Sequence, residues 1–310
     1  MDIFTFVFLN NILPLFIIVF LGYFLATKFK LDVFTLSKIY IYILLPVLTS
    51  MKIYQTDINT EFFSAILFGI IMIILLAVVG WVISRLLNYN VSISNAFYNS
   101  IMFYNSGNFG LPLIMLVFSN TPQTSFAVSI QIIILTVQNL ATYSIGFFNA
   151  GRGQMHYLDT IKKILKTPIL YAILTAFILK YLNIDLTKYF FWSSIEHLQG
   201  GLIPVALLTL GVQLYHTKIN FKNWDVYIAS LTRLIGGPIL AYILINIMGI
   251  EGVMAQVLFI SSAVPSAVNT ALIAIEFNNK PDFASQVVMT STVLSSITLT
   301  GVIFLSEYLF

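Results

Sequence analysis

The sequence predicts an all-α polytopic membrane protein, with ten transmembrane helices in two inverted five-helix repeats whose helices 4 and 9 are broken and cross. Three observations predict this fold class. Hydrophobic residues make up 59% of the 310 residues and charged residues only 9%. The apolar residues come in runs of about 20, the length that crosses a bilayer core. Short similar segments recur in the two halves, and the fourth run of each half contains proline among small polar residues.

The composition excludes a soluble protein, because so few charged residues cannot cover the surface of a chain of this size. The first apolar run, 3–26, follows Asp2 rather than a basic region, is too long for a signal-peptide core and has no small-residue cleavage pattern. It is therefore expected to remain as the first span. The absence of cysteine excludes disulfides and thiolate sites.

Ten apolar runs are assigned as spans, with ends defined to within several residues. They cover residues 3–27, 33–53, 62–87, 93–118, 122–149, 161–182, 197–215, 223–248, 252–277 and 282–308. An even number of spans places both termini on the same side of the membrane.

The basic residues set the orientation. Of the 15 lysines and arginines, eleven lie opposite the termini, three lie on the terminal side and one lies within a span. The eleven are Lys28, Lys30, Lys38, Arg85, Arg152, Lys162, Lys163, Lys166, Lys218, Lys222 and Lys280. By the positive-inside rule this group is cytoplasmic. The sequence thus predicts a multi-pass protein of the cytoplasmic (plasma or inner) membrane with both termini outside.

The two halves of the chain contain an internal repeat. Residues 43–58 (ILLPVLTSMKIYQTDI) are similar to residues 201–219 (GLIPVALLTLGVQLYHTKI), and prolines recur at nearly constant spacing. The recurring pairs are Pro14 with Pro168, Pro46 with Pro204, and Pro122 with Pro281. Each half, 1–150 and 151–310, then holds five spans. An odd number forces the second half to insert upside down, and inverted repeats are typical of secondary transporters.

The most unusual stretches lie in the fourth and ninth spans. They read FYNSGNFGLPL (103–113) and SSAVPSAVNTA (261–271). Proline removes a backbone donor and glycine weakens a helix, so both spans should break near their centres. Interrupted spans at corresponding positions of two repeats indicate a transporter binding site. We therefore assign substrate binding to Asn105, Gly107, Asn108, Gly110, Pro112, Ser262, Pro265, Ser266 and Asn269.

Each break should create a half-helix whose amino terminus points its N–H groups at the midplane, beginning near Gly110 and near Pro265. Roughly half an elementary charge sits at each such terminus. Two converging termini favour an anion without a buried lysine. The alternative is structural, since a single kink is ordinary in a membrane helix and Asn or Ser side chains bridge neighbouring helices.

Arg233 lies deep in a span, nine residues beyond the interfacial Trp224, which is roughly 13 Å along a helix. A central arginine is costly and normally faces the protein interior. Three roles stay open: attraction of an anionic substrate, stabilisation of a moving helix against helix carboxyl ends, and a structural arginine held by backbone carbonyls. Glu276 falls near the far interface, and no acidic residue lies near the midplane. A central carboxylate site for a proton or cation is therefore not expected.

No catalytic motif is present. The sequence has no HExxH, no GxSxG and no GxxxxGK[ST], and its three histidines lie in loops or at span ends. The chain is therefore not expected to be an enzyme or to hold a metal or other cofactor, while coupling to sodium or protons stays open. The basic run GRGQMHYLDTIKKILK (151–166) either meets anionic headgroups or is an ordinary cytoplasmic loop.

Five short segments fall in a specific order along the whole chain. They are LLPVL (44–48), NSGNFGLPL (105–113), LTLGVQL (208–214), RLIGGP (233–238) and AVPSAVNTALIAIEFNNKPD (263–282). The second resembles a fourth-span pattern in which asparagine precedes Gly-apolar-Pro, and RLIGGP resembles an eighth-span Arg-Phe-Leu-Thr-Gly-Pro pattern. Both patterns belong to the auxin efflux carrier family, which the chain resembles. This family comprises plant PIN-type carriers and bacterial permeases for small organic acids.

The resemblance implies a ten-span transporter whose fourth and ninth spans cross where they unwind. It implies a scaffold of spans 1, 2, 6 and 7, a homodimer, and a transport domain of spans 3–5 and 8–10 that moves as an elevator. In this family Asn105, Gly110, Pro112 and the segment 265–269 match the substrate crossing, and Arg233 matches the eighth-span arginine.

The predicted function is a secondary active transporter or facilitator of small organic anions by an elevator-type alternating-access mechanism. The substrates implied are mono- or dicarboxylates such as malate, malonate or an auxin-like acid. The central loop, 150–166, is short compared with plant carriers, and the bacterial relatives point to malate or malonate. The alternatives are a non-transporting membrane sensor for a small carboxylate and an anion channel. Expected partners are the organic anion, membrane lipid and a second copy of the chain, with no nucleic acid.

Overall fold

The computed structural model describes residue 5 and residues 7–55, 60–119, 121–151, 168–182, 184, 186–217 and 223–310. In this part of the chain the regular elements are helices. They are α1 (Phe8–Lys28), α2 (Val33–Ile39, Tyr40–Leu44 and Leu45–Gln55 in succession), α3 (Thr60–Leu86), α4a (Val91–Met102), α4b (Ser106–Val117), α5 (Thr124–Ala150), α6 (Pro168–Tyr181), α7 (Trp192–Tyr215), α8 (Trp224–Met248), α9a (Gly252–Ser262), α9b (Val268–Glu276) and α10 (Pro281–Leu309), with a short 3-10 helix at Leu186–Lys188 between α6 and α7. All but the first residue of the predicted basic loop 151–166, and Lys218 and Lys222, lie outside the described residues.

Seven of the described helices, α1, α2, α3, α5, α7, α8 and α10, are long and apolar enough to cross a membrane. They coincide with seven of the ten predicted spans. The predicted fourth and ninth spans each consist of two shorter helices, so the prediction of broken helices is confirmed. The sixth coincides with α6, which has 14 residues. The all-helical architecture is therefore confirmed, whereas the ten-span inverted repeat stays a prediction.

Polar side chains define where several helices begin. Asp32 accepts hydrogen bonds from Phe34 N at 3.1 Å and Thr35 N at 3.0 Å at the start of α2. Asn90 accepts from Ile93 N at 3.1 Å at the start of α4a. These caps satisfy first-turn donors that have no partner within the helix. The short polar segments between apolar runs thus fix the helix ends on which the predicted spans depend.

The outer surface carries large apolar side chains. On α3 five of the exposed apolar residues follow one helical stripe: Phe63, Leu67, Ile70, Ile74 and Val78. A spacing of three and four residues places these side chains on one face. In water such a stripe would be unfavourable, whereas in a bilayer it faces hydrocarbon. The polar residues Gln131, Arg233, Ser266 and Ser291 are instead buried inside the bundle.

The described chain contains five π-helical turns. They are Phe8–Ile12, Tyr40–Leu44, Ser106–Gly110, Thr142–Gly146 and Thr232–Gly236. A π-turn shifts the register of a helix by one residue, and such turns occur frequently at functional sites. The last four lie in α2, α4b, α5 and α8, whose residues meet around the interruptions of the broken helices.

The closest backbone approach is between α1 and α7. A Cβ added at Gly211 would overlap the carbonyl oxygen of Val19, and one added at Gly22 would overlap that of Leu208. Small residues allow this approach, which gives membrane helices their close van der Waals packing. The two glycines therefore allow α1 and α7 to pack backbone against backbone.

Replacing Gly211 by alanine is expected to destabilise the protein by about 1 to 3 kcal/mol, because the added methyl group has to separate two backbones. The measurement is thermal unfolding in detergent. Gly200 is the matched control, since it lies on the same helix with no atom within 4 Å of an added Cβ. Gly200→Ala should be neutral or stabilise by up to about 1 kcal/mol. Equal melting temperatures for the two variants would contradict the proposed packing.

Candidate functional site

The two broken helices cross at their interruptions, 103–105 and 263–267. The crossing segments pair with each other as a short antiparallel bridge. Asn105 N donates to Pro265 O at 2.8 Å, and Ala267 N donates to Phe103 O at 2.9 Å. Backbone groups freed from a helix need partners when water is absent. Here each broken helix provides hydrogen-bond partners for backbone groups of the other. Each interruption is therefore stabilised by the presence of the other one.

Side chains from neighbouring helices complete the hydrogen bonding of the crossing. Gln138 Oε1 accepts from Tyr104 N at 3.3 Å, Gln131 Nε2 donates to Ser106 O at 2.9 Å, Ser291 Oγ accepts from Ser266 N at 3.1 Å, and Ser266 Oγ donates to Ser100 O at 2.6 Å. These polar residues of α5 and α10 thus bond to backbone that no longer bonds within its own helix. Ser266, predicted as a substrate ligand, holds the crossing together in this structure.

Arg233 is fully buried, with 0% of its surface exposed. Its guanidinium donates to Ile101 O at 3.1 Å and to Ser262 O, and it lies 4.5 Å from the centroid of the Tyr104 ring. Gly237 makes room for this contact, because a Cβ there would lie 2.5 Å from Ser262 O. Within the described residues these partners are two carbonyls and an aromatic ring, and none is a carboxylate.

The two carbonyls belong to the carboxyl ends of α4a and α9a. Each helix carboxyl end carries roughly half a negative elementary charge. Together they balance about one positive charge, which is the charge of the Arg233 guanidinium. Of the three roles left open by the sequence, these contacts match stabilisation of helix carboxyl ends by an arginine held through backbone carbonyls.

A cavity of about 100 Å³ lies beside the crossing. Its walls come from α2, α4b, α5, α6, α7, α9b and the crossing itself. Four predicted site residues line it: Asn105, Gly107, Asn108 and Asn269. No lysine, arginine, aspartate or glutamate of the described chain is among its lining residues. The cavity is therefore polar but carries no ionised side chain.

Four buried polar atoms at this cavity have no hydrogen-bond partner among the described residues. They are Tyr40 Oη, Asn105 Nδ2, Gln138 Nε2 and Gln213 Oε1, and all four residues line the cavity. An unpaired buried donor or acceptor costs about 1 to 3 kcal/mol. Their concentration around one small space means that a bound solute or water would complete their hydrogen bonding. The set contains two amide nitrogens and a hydroxyl that can donate.

The half-helices begin at other residues than the sequence predicted. The second half of the fourth span begins at Ser106 rather than near Gly110, and that of the ninth begins at Val268 rather than near Pro265. Gly110 N is already used, since it donates to Asn105 O at 2.8 Å. The first-turn N–H groups of α4b and α9b therefore lie at residues that line the cavity.

Five predicted site residues do not line the cavity. They are Gly110, Pro112, Ser262, Pro265 and Ser266. Gly110 provides space, because a Cβ there would lie 2.7 Å from Gln131 Nε2. Pro112 lies in the α-helical part of α4b, directly after the π-turn, and has no N–H to donate to the preceding turn. Ser262 and Pro265 contribute backbone carbonyls to Arg233 and to the crossing, so these residues shape the site without facing it.

The site residues predicted from the sequence do not include Tyr40, Gln138 and Gln213. Each is a polar residue in a largely apolar helix, a pattern shared with residues that only bridge helices. A signal did exist for Gln213, because LTLGVQL was already distinguished by its resemblance. The side chain of Glu276 is outside the described part of the structure.

A wider recess of about 1040 Å³ adjoins the cavity. It is lined by the loop between α1 and α2 and by the ends of α7 and α9b. Lys28 and Lys30 belong to this lining, and Gln213, Val268 and Leu272 line both spaces. The recess therefore leads from the polar cavity to the side on which the sequence places basic loops.

A helical bundle with an apolar surface and a small polar cavity between two broken helices has the architecture of a membrane transport protein. A family model described as membrane transport protein matches residues 7–303. The chain belongs to this family, which is that of the PIN-type auxin efflux carriers, so the resemblance seen in the sequence motifs is confirmed.

Two relatives of this chain are described as uncharacterized transporters. One, from Methanothermobacter thermautotrophicus, is 24% identical over 308 residues, which cover 94% of this chain and 95% of the relative. The other, from Methanocaldococcus jannaschii, is 28% identical over 136 residues, which cover 43% of each chain. The second match thus spans less than half of the relative, whereas the first extends over almost its whole length.

Proposed function

We propose that the protein is a secondary transporter of small organic anions that works by alternating access. The observation that carries the proposal is the set of unpaired donors, Asn105 Nδ2, Gln138 Nε2 and Tyr40 Oη, around one cavity at the helix crossing. Donors without partners suit a solute that is rich in acceptors, and a carboxylate has only acceptors.

The helix termini support an anion over a cation. The amino ends of α4b and α9b border the cavity, and each carries roughly half a positive elementary charge. Their combined field favours one negative charge. The carboxyl ends of the other two half-helices point at Arg233 and are neutralised by it. No carboxylate among the described lining residues offers a site for a cation.

The size of the cavity favours acids of a few carbon atoms. Sites for drug-sized ligands have volumes of about 300 to 1,000 Å³, and a cavity of about 150 Å³ holds one benzene ring. A cavity of about 100 Å³ is small for an auxin-like acid with two fused rings. In this conformation it suits a molecule of the size of malonate or malate.

The arrangement of the lining supports an elevator mechanism. Tyr40 and Gln213 belong to spans 2 and 7, which the family resemblance places in the scaffold. Asn105 and Gln138 belong to spans 4 and 5, which it places in the transport domain. The cavity thus lies between the two groups of spans. The proposal includes the inverted repeat with halves 1–150 and 151–310, a homodimer, and termini outside the cytoplasmic membrane, with the recess at Lys28 and Lys30 open to the cytoplasm.

Counterflow in proteoliposomes tests the proposal. Vesicles that contain the purified protein are loaded with an unlabelled small carboxylate and diluted into a trace of the labelled acid. A transporter accumulates label transiently, because exchange through one alternating site is faster than net flux. A channel would conduct without this overshoot, and a sensor would show no flux. Parallel runs with and without a sodium or pH gradient identify the coupling ion.

A further inference from the structure

We infer that the substrate is a small monocarboxylate that carries a hydroxyl group beside its carboxylate, and that Tyr40 is a specificity-determining residue for that hydroxyl. The inference rests on the proposed function and narrows it, because a carrier for organic anions could equally take dicarboxylates. Three independent features of the cavity lead to it: its charge, its size and the chemistry of its unpaired atoms.

The charge of the cavity matches a single negative charge. Two half-helix amino termini provide about one positive elementary charge in total. Arg233 adds little to this, since its guanidinium is already balanced by the carboxyl ends of α4a and α9a, where it bonds Ile101 O and Ser262 O. The second carboxylate of a dianion would therefore lie in a cavity whose described lining residues offer no counter-charge. Burying an uncompensated charge is far more costly than burying a hydroxyl group.

The unpaired atoms differ in the hydrogen-bonding chemistry they offer. Asn105 Nδ2, at the crossing, and Gln138 Nε2, on α5, are amide donors. Tyr40 Oη and Gln213 Oε1 lie on α2 and α7. Gln213 Oε1 only accepts hydrogen bonds, whereas the Tyr40 hydroxyl both donates and accepts. A carboxylate satisfies the amides, but only a group that also donates satisfies Gln213 Oε1.

Tyr40 is built into this position. Its side chain is 3% exposed, it lies in a π-turn of α2, and its Oη is 3.1 Å from where a Cβ on Gly107 would be. Gly107 is in the first turn of α4b, next to the N–H groups that we assign to the carboxylate. The Tyr40 hydroxyl is therefore placed to reach a substituent on the carbon beside that carboxylate.

The volume limits the rest of the molecule. A space of about 100 Å³ leaves room for a carboxylate, one hydroxyl-bearing carbon and a short apolar remainder. Leu45, Leu135 and Leu272 provide apolar wall for that remainder. Acids of the lactate and glycolate type have this composition.

The test is competition against counterflow in proteoliposomes that contain the full chain, at about pH 7, where both carboxyl groups of malonate are largely ionised. Lactate, propionate and malonate are compared as unlabelled competitors of labelled lactate. Lactate should compete at about tenfold lower concentration than propionate, which lacks only the hydroxyl, and at about tenfold lower concentration than malonate. Malonate competing as well as or better than lactate would overturn the inference and leave the anion carrier standing. Absence of exchange with any carboxylate would overturn the carrier itself.

Variants at Tyr40 test the role of its hydroxyl. Tyr40→Phe should raise the half-maximal concentration for lactate about tenfold and leave that for propionate unchanged. The matched control is Tyr42→Phe, two residues along the same helix, where the side chain is 51% exposed. If Tyr40→Phe raises the half-maximal concentrations for lactate and propionate equally, the Tyr40 hydroxyl does not distinguish the two acids. That result would overturn its assigned role.

Discussion

Replacing Asn105 by alanine is expected to weaken substrate binding so far that uptake no longer saturates at the concentrations that saturate the parent protein. The Asn105 N–H donates to Pro265 O in the crossing and its C=O accepts from Gly110 N, so the helix interruption can persist without the side chain. The lost amide nitrogen has no other partner in the described chain and lines the cavity. A hydrogen bond to a charged group contributes about 1.5 to 3 kcal/mol, so the half-maximal concentration should rise roughly 10- to 150-fold.

Initial rates of uptake over a range of substrate concentrations measure the effect, and thermal unfolding checks that the variant is folded. Asn246→Ala is the matched control, because Asn246 is an exposed residue of α8 that bonds only within its own helix. Unchanged uptake kinetics for Asn105→Ala would remove this residue from the binding site. A further variant, Asn105→Asp, should also show strongly reduced uptake, because its carboxylate would repel the anionic substrate.

A severe loss of stability is expected when Arg233 is replaced by methionine. Methionine fills a similar volume but donates no hydrogen bond. Ile101 O and Ser262 O, at the carboxyl ends of α4a and α9a, would then lose the donor that Arg233 provides. Two unsatisfied buried acceptors cost about 2 to 6 kcal/mol in total. The yield of folded protein and the melting temperature in detergent measure this loss.

Arg85→Met is the matched control, because Arg85 is exposed near a helix end, beside Trp81. Its replacement should change stability by no more than about 0.5 kcal/mol. Arg233→Lys should be intermediate, since lysine keeps the charge but lacks the rigid fork that reaches two carbonyls. If Arg233→Met melts at the temperature of the parent protein, the arginine does not hold the crossing.

The breaks in the two spans could be predicted from sequence because proline and glycine act on the backbone locally. Pro265 and the glycines at 107 and 110 disfavour a continuous helix whatever surrounds them. The residue at which each half-helix begins was predicted less accurately, because it depends on which N–H groups form hydrogen bonds in the crossing. That information lies in pairing between distant residues, such as Asn105 with Pro265.

The sequence left several roles open for Arg233 and could not indicate which carbonyls it bonds, for a different reason. When an aspartate balances a buried cation, that acidic residue can be seen in the sequence. Backbone carbonyls are present at every residue and give no such indication. The role of Tyr40 was hidden because one tyrosine in an apolar helix has no distinctive neighbours. Only the structure places its hydroxyl against Gly107 and reveals that both face the same small space.

The hydrogen bonding between the two crossing segments, 103–105 and 263–267, restricts how they can move. If one segment moved past the other, peptide groups would lose their hydrogen bonds inside the membrane, and each unsatisfied group costs several kcal/mol. Two backbone hydrogen bonds therefore hold the segments together, from Asn105 N to Pro265 O and from Ala267 N to Phe103 O. Under the proposed elevator mechanism, we therefore expect the segments 103–105 and 263–267 to move together with the bound solute as one unit.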